Sequence, residues 1–448
     1  MMAAETKYSD MDCSVGSTTD MVAVSEEVKK YYVRAQQFAR AMDQKKKSGT
    51  NRKKAPPKLT ELCCKAIAGN FSQKPLKSGE TKISQDQLPC IMAELPMNLD
   101  LSVAARHVDN ESYWKRRCLH CSSHWRPFNI RKHGGTWKQY FLERCLEEAL
   151  ENFDHEAGDP EALLAQVEFS RDYVFQLTLK ELASHIDLNI LFSQLHNLSS
   201  FSLTYGARNI GMAYERSIFG MKAPDAVSIA NCITSTQTLV SLSLPSNMID
   251  DELLGTLVQG LQENRSIVHI DLSHNEIANL GARLLAGLIE NNPTISSLIL
   301  SDNKIHADGG SHIGRALMEN STLEELDLRL NRLSDRGGAK IFDGLAENDA
   351  LQSLNLSCNS LSSSSCKKCA DYVQFSGCAL RHLDISCNDL NANDMQVLLR
   401  GMESNSTIRS IDIRQDAATS SSSPSECSEK ICEIVRRNEL AFPRSKGI

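Results

Sequence analysis

An α/β solenoid, a stack of short parallel strands with helices outside them, is the fold class that the sequence predicts, and three observations predict it. Seven stretches from Leu239 to Ile413 repeat one spacing of apolar residues. The first positions of successive stretches lie 28, 28, 28, 28, 29 and 28 residues apart. A helix-like pattern of apolar residues fills the rest of each period. This is a leucine-rich repeat of the long, ribonuclease-inhibitor-like class, with a period of about 28 residues.

Each copy begins with a short strand whose apolar side chains point into the stack while its backbone pairs with neighbouring strands. After the strand the chain must turn where backbone groups have no access to water. The side-chain amide of an asparagine can satisfy those groups. Six copies place an asparagine there, which predicts a structural ladder of Asn247, Asn275, Asn303, Asn331, Asn359 and Asn388. The seventh copy has Asp416 at this position.

A helix is predicted after each strand, for example over residues 282–290. Gly281, Gly309 and Gly337 share the place where the chain enters the helix, which indicates little space there. Helices outside and strands inside bend such a stack into a horseshoe. An irregular copy at 198–203 is predicted to precede the regular ones, a serine-rich insertion occupies 420–425, and a last helix at about 428–438 caps the core.

The chain ahead of the repeats is predicted to form two parts. Residues 1–60 are expected to be largely disordered and basic, with one short helix at 26–42. The lysine-rich segment 45–58 is compatible with a solvated linker, an acidic partner such as a microtubule wall, or a nuclear signal. Residues 61–190 are expected to form a small, mainly α-helical domain with the three tryptophans in its core. The repeat domain is placed at 191–441.

Charge is distributed unevenly along the chain. Residues 1–150 carry 25 basic and 17 acidic side chains, whereas residues 151–448 carry 24 and 39. The acidic majority would repel phosphate, so no nucleic-acid partner is expected. No apolar run is long enough to span a membrane, and charged residues interrupt any signal peptide. We therefore expect an intracellular protein without a membrane partner, in which Asn-x-Ser/Thr triplets such as Asn264-Arg265-Ser266 are accidental.

Motifs for catalysis or cofactor binding are absent from the sequence. It contains no P-loop, dinucleotide-binding, Gly-x-Ser-x-Gly or His-Glu-x-x-His string, and we predict a non-enzymatic protein without a cofactor. The segment from Cys118 to His124 has zinc-compatible donors but no second ligand pair at standard spacing. Cys358 and Cys387 occupy the same position of adjacent copies, which predicts paired thiols about 5 Å apart. Metal is therefore not expected at either place.

The concave face of the sheet carries the candidate partner-binding residues. The residue after the second apolar position should face the concavity, and it is acidic in four copies. One interpretation is ordinary strand-exit chemistry; the other is a docking surface for a basic or helical partner. The candidate residues are Asp271, Asp327, Arg329, Arg332, Asp384 and Asp412.

Several blocks of the sequence are more specific than the repeats. They run from Leu203 through Tyr205-Gly-Ala-Arg208 to Phe219, with Leu95-Pro96, Glu111-Ser-Tyr-Trp114-Lys-Arg and Gly135-Thr-Trp137-Lys upstream. With these blocks, residues 90–440 resemble the t-complex-associated testis-expressed protein family, which comprises the leucine-rich-repeat dynein regulatory complex subunit five. The lysine-rich segment and residues 420–425 do not belong to the family pattern.

The resemblance implies a non-enzymatic scaffold subunit of the nexin-dynein regulatory complex, which links outer-doublet microtubules and regulates dynein-driven motility. The implied partners are other coiled-coil and leucine-rich-repeat subunits of that complex, with doublet microtubules or dynein as further candidates. The implied location is the cytoplasm and cytoskeleton, in the axoneme of a cilium or flagellum. Two alternatives use the same repeats: an F-box-like substrate adaptor of a ubiquitin ligase, and a GTPase-activating protein for a Ran-type GTPase.

Overall fold

The computed structural model describes residues 58–76, 87–121, 128–154, 158–182, 186–206, 219–415 and 426–441. The chain divides into two compact units, one up to Cys121 and one from Ser122 onward. The predicted helix at 26–42, most of the basic segment 45–58 and the insertion at 420–425 lie outside the described residues.

Four helices form the described part of the first unit: Leu59–Gly69 (α1), Leu88–Glu94 (α2), Leu101–His107 (α3) and Glu111–Cys121 (α4). Trp114 is fully buried, and its indole N–H donates to the carbonyl of Val108 at 2.9 Å. Arg117 is buried beside it and donates to the carbonyl of Leu99 and to the hydroxyl of Tyr113. The Tyr-Trp-Lys-Arg-Arg block therefore holds the helices of this unit together.

One parallel sheet of nine strands runs through the second unit, and the strands lie in chain order. Each of the last eight strands pairs with the strand before it. The central leucine or isoleucine of each three-residue strand lies beside its equivalent in the next copy and is buried in every copy but the last. The strands are Gln176–Leu182 (β1), Ser200–Tyr205 (β2), Ser241–Ser243 (β3), His269–Asp271 (β4), Ser297–Ile299 (β5), Glu325–Asp327 (β6), Ser353–Asn355 (β7), His382–Asp384 (β8) and Ser410–Asp412 (β9).

Helices alternate with these strands and close the other side of one continuous apolar core. Their buried residues recur at helical spacing, as Leu254, Leu257 and Leu261 do in one of them, so one face of each helix meets the strands. The helices are Trp137–Glu151 (α5), Pro160–Ser170 (α6), Leu188–Gln194 (α7), Ala223–Ser235 (α8), Asp251–Glu263 (α9), Asn279–Asn291 (α10), Ala307–Glu319 (α11), Ser334–Leu345 (α12), Ser363–Gln374 (α13), Ala392–Glu403 (α14) and Glu426–Ala441 (α15).

The asparagines that follow the strands form a first ladder along the stack. Asn331 shows its chemistry: the amide nitrogen donates to the carbonyl of Leu300 at 2.8 Å, in the preceding copy, and to that of Leu328 at 3.0 Å. The amide oxygen accepts the backbone N–H of Ile305 at 3.1 Å. All six ladder asparagines are buried, and each bonds to the copy before its own. The ladder replaces the water that the turn lacks.

A second asparagine ladder runs along the helix ends, and the sequence reasoning did not anticipate it. Asn320 represents it: its amide nitrogen donates to the carbonyl of Ile289, one copy earlier, and its oxygen accepts the N–H groups of Thr322 and Leu323. Asn264, the first residue of the Asn-x-Ser triplet noted above, belongs to this ladder and is only 4% exposed. The members are Asn264, Asn292, Asn320, Asn348, Asn405 and Asn438.

The amino-terminal edge of the sheet is sealed by glutamates of α5. Glu143 accepts the N–H groups of Phe175 and Gln176, Glu147 accepts that of Thr178, and Glu151 accepts that of Lys180. These glutamates are four residues apart, so they lie on one face of the helix and meet every second N–H of β1. The edge strand thus finds its missing hydrogen-bond partners in side chains.

The sheet begins before the predicted boundary at residue 191, because β1 pairs in parallel with β2. The region 61–190, predicted as a single helical domain, is spread over both units. Trp114 lies in the core of the first unit, whereas Trp137 is half-buried in the second, against Phe128 and Tyr140. Trp125 lies outside the described residues. The placement of the tryptophans in one core is therefore corrected.

Candidate functional site

Four predicted acidic residues occupy one column of the concave sheet face. Each is the last residue of its three-residue strand, and register pairing aligns the column as Ser243, Asp271, Ile299, Asp327, Asn355, Asp384 and Asp412. All are half-buried. Asp384 and Asp412 are direct neighbours, while Asp271 and Asp327 are two strands apart. The sheet therefore brings the four carboxylates into one line, here called the acidic column.

Each carboxylate of the acidic column also accepts a hydrogen bond from the backbone N–H two residues later and so stabilises the turn after its strand. Asp327 accepts the backbone N–H of Arg329 at 2.8 Å, and Asp384 accepts the N–H of Ser386 at 2.9 Å. Asn355 accepts the N–H of Ser357 in the same way at 3.0 Å. Such turns need an oxygen acceptor and not a charge, because the neutral amide of Asn355 makes the same bond. The negative charge at the other positions is additional to the needs of the turn.

The surroundings of the carboxylates differ along the acidic column. Burial raises the pKa of Asp327, with smaller contributions from Asp384 and Glu325. Hydrogen bonds from Arg414 lower the pKa of Asp412. One guanidinium thus balances the charge at the carboxyl-terminal end, where two aspartates are adjacent, whereas Asp327 in the middle is desolvated.

A second column of the concave face lies two residues earlier in each strand. It reads Ser241, His269, Ser297, Glu325, Ser353, His382 and Ser410 along the paired strands. His269, Glu325 and His382 are exposed, and each shares its strand with a member of the acidic column. The two histidines were missed in the sequence, although residues two apart in a strand share a face and this period would have identified them.

The two predicted arginines lie beyond the sheet. Arg329 follows β6 by two residues, and Arg332 lies in the next turn, where it forms an isolated parallel bridge with His306. Both side chains are exposed. The position equivalent to Arg332 in the two preceding copies holds Lys304 and Glu276, whose side chains pair at 2.9 Å. The arginines therefore border the acidic column at the strand exits and do not join it.

Metal-binding groups are not assembled in the part of the chain that the structure describes. There, no three His, Cys, Asp or Glu side chains are grouped so that they could hold an ion. His133, which lies nine residues after His124 of the cysteine- and histidine-containing segment, pairs with the buried Glu143 in the second unit. Within the same described ranges, no helix combines the length and apolar character needed to cross a membrane.

Comparison with known proteins places these repeats among related chains. A family model described as Leucine Rich repeat matches residues 263–286, 291–314, 319–342 and 378–399, which confirms the predicted repeat class. A solved TLR13–ssRNA13 complex is 18% identical, covering 56% of this chain and 39% of that chain, with a TM-score of 0.33.

Curated relatives carry a common name. Dynein regulatory complex subunit 5 of Chlamydomonas reinhardtii is 35% identical over 195 residues, 43% of this chain and 48% of the relative. The Mus musculus and Homo sapiens proteins of that name are each 29% identical, over 51% and 52% of this chain and 51% of each relative. The chain thus spans about half the length of the curated relatives it matches.

Proposed function

We propose that this chain, a leucine-rich-repeat relative of dynein regulatory complex subunit 5, is a non-enzymatic scaffold subunit of the nexin-dynein regulatory complex. In this role it works in the axoneme of motile cilia or flagella, where the complex links outer doublets and regulates dynein. The relatedness to proteins of that name is the observation that carries the proposal. Its partners in this role are other subunits of the complex.

The construction of the repeat stack supports a scaffold. The ladder asparagines repeat from copy to copy and donate to backbone carbonyls of the preceding copy. These hydrogen bonds hold neighbouring copies in register. The most regular surface that remains is the concave face, with its acidic column and the exposed His269, Glu325 and His382 beside it. We propose that this face docks a basic or helical segment of another subunit.

Charge complementarity explains why the acidic column suits docking. Neighbouring strands are about 4.8 Å apart, so the distance from Asp271 to Asp327 is about 10 Å. At that distance in water, two like charges repel by only about 0.4 kcal/mol before salt screening. Repulsion within the acidic column therefore destabilises the unbound protein only slightly. A cationic side chain of a partner would be attracted by several carboxylates together. Asp327 and Asp384 are its central members.

The proposal is tested with tagged copies expressed in a flagellated cell that lacks the chain. We expect the wild-type protein to stay with axonemes after a high-salt wash and to restore normal beating. A wild-type protein that is extracted with the soluble fraction, in cells that swim normally without it, would contradict the scaffold role.

The same cells test the docking face. The double variant Asp327→Asn, Asp384→Asn keeps the acceptor oxygen of each turn, as Asn355 does naturally, and removes only the charges. We expect at least a tenfold loss of retained protein in salt-washed axonemes, since losing two desolvated charge contacts costs about 1.4 kcal/mol or more. The matched control is Asp349→Asn at an exposed position after α12. Equal retention of the wild type, the double variant and the control would contradict docking at this face, but it would not contradict the scaffold role.

A further inference from the structure

A column of six residues with left-handed backbone follows the strands, one in each of the first six regular copies. They occupy the same place in consecutive copies, three residues beyond the acidic-column residue or its equivalent, and their φ angles lie between 52° and 58°. The members are Ser246, His274, Asp302, Leu330, Cys358 and Cys387. Because non-glycine residues rarely adopt this conformation, the stack imposes it on each copy alike.

Neighbouring side chains in this column meet each other. The imidazole Nδ1 of His274 lies 2.8 Å from the carboxylate Oδ2 of Asp302, its neighbour in the next copy. The backbone beneath them is joined by a hydrogen bond from the N–H of His274 to the carbonyl of Ser301, also at 2.8 Å. This pair shows that side chains at neighbouring positions of the column can contact each other.

Cys358 and Cys387 stand in the same relation to each other as His274 and Asp302 do. The N–H of Cys358 donates to the carbonyl of Ser386 at 3.1 Å, which is the equivalent backbone bond. The φ angles are 56° and 53°, against 58° and 52° for the histidine and the aspartate. Parallel chains in a stack are about 4.8 Å apart, within the Cα separation of 4.4–6.8 Å that disulfides require.

Both thiols are within reach of solvent, since both cysteines are half-buried. The neighbouring Cys366 differs: it is 2% exposed, and burial raises its pKa to about 12. Cys369 is equally enclosed, and burial raises its pKa as well. Thiolates and not thiols attack disulfides, so these two buried cysteines are poor nucleophiles. Accessibility thus singles out the pair in the left-handed column.

We propose that Cys358 and Cys387 form a redox-sensitive pair that closes to a disulfide between adjacent repeats when it meets a small-molecule disulfide such as glutathione disulfide. One cysteine thiolate attacks a sulfur of glutathione disulfide, forming a mixed disulfide and releasing one glutathione thiolate. The second cysteine thiolate attacks the protein sulfur of the mixed disulfide and releases the second glutathione. The two protein thiols are oxidised, glutathione disulfide is reduced to two glutathione molecules, and these take up the two thiol protons.

The position of the pair gives the bond a structural consequence. The copies that it joins are those separated by the single 29-residue period, and their helix ends are linked by one asparagine rung, in which the amide nitrogen of Asn405 donates to the carbonyl of Val373 at 2.8 Å. The end of α13 itself has no ladder asparagine, and the hydroxyl of Tyr372 accepts the N–H of Ala379 there at 3.2 Å. A disulfide would add a covalent link between the same two copies at their strand exits.

The test is a search for the linked peptides in the full-length chain. The protein is incubated with glutathione disulfide at about pH 8, near the ordinary thiol pKa, and remaining thiols are then blocked with N-ethylmaleimide. Trypsin digestion without reductant should yield residues 341–367 joined to residues 382–400, a species that disappears after reduction. Because the first peptide also contains Cys366, the experiment includes Cys366→Ser, which keeps a donor for the carbonyl of Asp394.

The expected result is the linked species in the wild-type protein and in Cys366→Ser, and its complete loss in Cys358→Ser and in Cys387→Ser. Circular dichroism of the two serine variants should match that of the wild-type protein, since serine replaces a half-buried thiol of similar size. Separate glutathione or maleimide adducts on Cys358 and Cys387 would overturn the proposal. So would loss of the linked species in Cys366→Ser, because the bond would then belong to Cys366.

Discussion

At the scale of single residues, the side-chain amide does what water does elsewhere. Asn331 is 6% exposed and serves backbone groups of two copies, so its removal leaves several buried donors and acceptors without partners. Each buried polar group that is left without a hydrogen-bond partner costs roughly 1–3 kcal/mol of folding free energy, which exceeds the net gain from an ordinary hydrogen bond. The energy of the ladder therefore appears mainly as a penalty when it is broken.

We predict that Asn331→Ala lowers the free energy of unfolding by roughly 2–4 kcal/mol, measured by urea denaturation. The control is Asn291→Ala, which removes an exposed bond from the side-chain amide to the carbonyl of Gly287. That change should stay within about 0.5 kcal/mol of the wild-type value. Equal losses of unfolding free energy in the two variants would show that the buried ladder bonds stabilise the fold no more than an exposed side-chain bond does.

Residues of the two ladders were not equally visible in the sequence. The first ladder was predicted because each asparagine stands at a fixed place within the apolar pattern. The first four members of the second ladder have the same 28-residue period, but Asn264 lies in a triplet that resembles a glycosylation site, and the positions around it are polar. A polar residue at a helix end suggests solvent unless the next copy is known to cover it. Periodicity of the polar residues themselves was the missed signal.

At the scale of elements, the contact between α11 and α12 depends on glycine. Gly314 and Gly344 are buried in these helices, and a Cβ atom on Gly344 would collide with the carbonyl oxygen of Gly314. In contrast, a Cβ atom on Gly287 in α10 would meet nothing within 4 Å. The same residue type is required in one helix and dispensable in another.

We predict opposite effects of alanine at the two positions. Gly344→Ala should lower the free energy of unfolding by about 1–3 kcal/mol, because the helices must separate. Gly287→Ala should raise it by about 0.5–1 kcal/mol, since alanine is the better helix former. Urea denaturation of both variants measures the difference. Stabilisation by both would mean that helix propensity and not close approach governs these sites.

The glutamates of α5 give the edge of the sheet a dependence on pH. Burial raises the pKa of Glu147 to about 7, although Arg144, the Thr178 N–H and His133 each lower it, while Glu143 raises it further. A carboxyl group with a raised pKa binds its proton more tightly in the folded chain. Its stabilising contribution is therefore complete below the ordinary pKa of 4.5 and is lost as the pH rises to about 7.

We predict that Glu147→Gln removes this dependence while keeping an acceptor for Thr178. The free energy of unfolding of the variant, minus that of the wild type, should increase by up to about 3 kcal/mol between pH 4.5 and 7 and then level off. Urea denaturation across this range provides the measurement. A difference that does not change with pH would show that Glu147 titrates alike in the folded and unfolded chain.

Elements at the amino-terminal end of the sheet escaped the sequence analysis for a physical reason. β1 has no asparagine turn, and its pairing with β2 shifts register between Leu179 and Leu182, which interrupts the alternation of buried residues. The glutamates of α5 look like a solvated helix face, because four-residue spacing of charges is typical of exposed helices. Glu143 and Glu147 are nevertheless buried, and Glu151 is half-buried, because the open edge of a sheet supplies hydrogen-bond donors. Only the neighbouring strand reveals this.

At the scale of the whole second unit, stability is shared along one dimension. Each strand pairs only with its neighbours in chain order, so the seven regular copies and their sheet were predictable from a local pattern. The two ends have no such pattern, and they are closed by different means. The glutamates of α5 cover β1, whereas α15 buries Ile431 and extends the second ladder with Asn438.

The acidic character predicted for the larger part of the chain acquires a location in this unit. Four of its carboxylates stand in the acidic column, and their positions followed from the repeat pattern alone. The histidines beside them did not, because the pattern constrains only the buried residues and leaves each concave position free to vary. A repeat sequence thus predicts where a surface lies more readily than what the surface binds.

The sameness of the ladder bonds also makes copies exchangeable. Asn303 and Asn331 form hydrogen bonds with equivalent carbonyl and N–H groups one copy away. If one complete 28-residue copy were deleted, the copies on either side of it could therefore form the same bonds with each other. Length can therefore change by whole copies, and each step adds or removes one row of the concave face. The 29-residue copy is the exception, because Tyr372 serves there where an asparagine serves elsewhere.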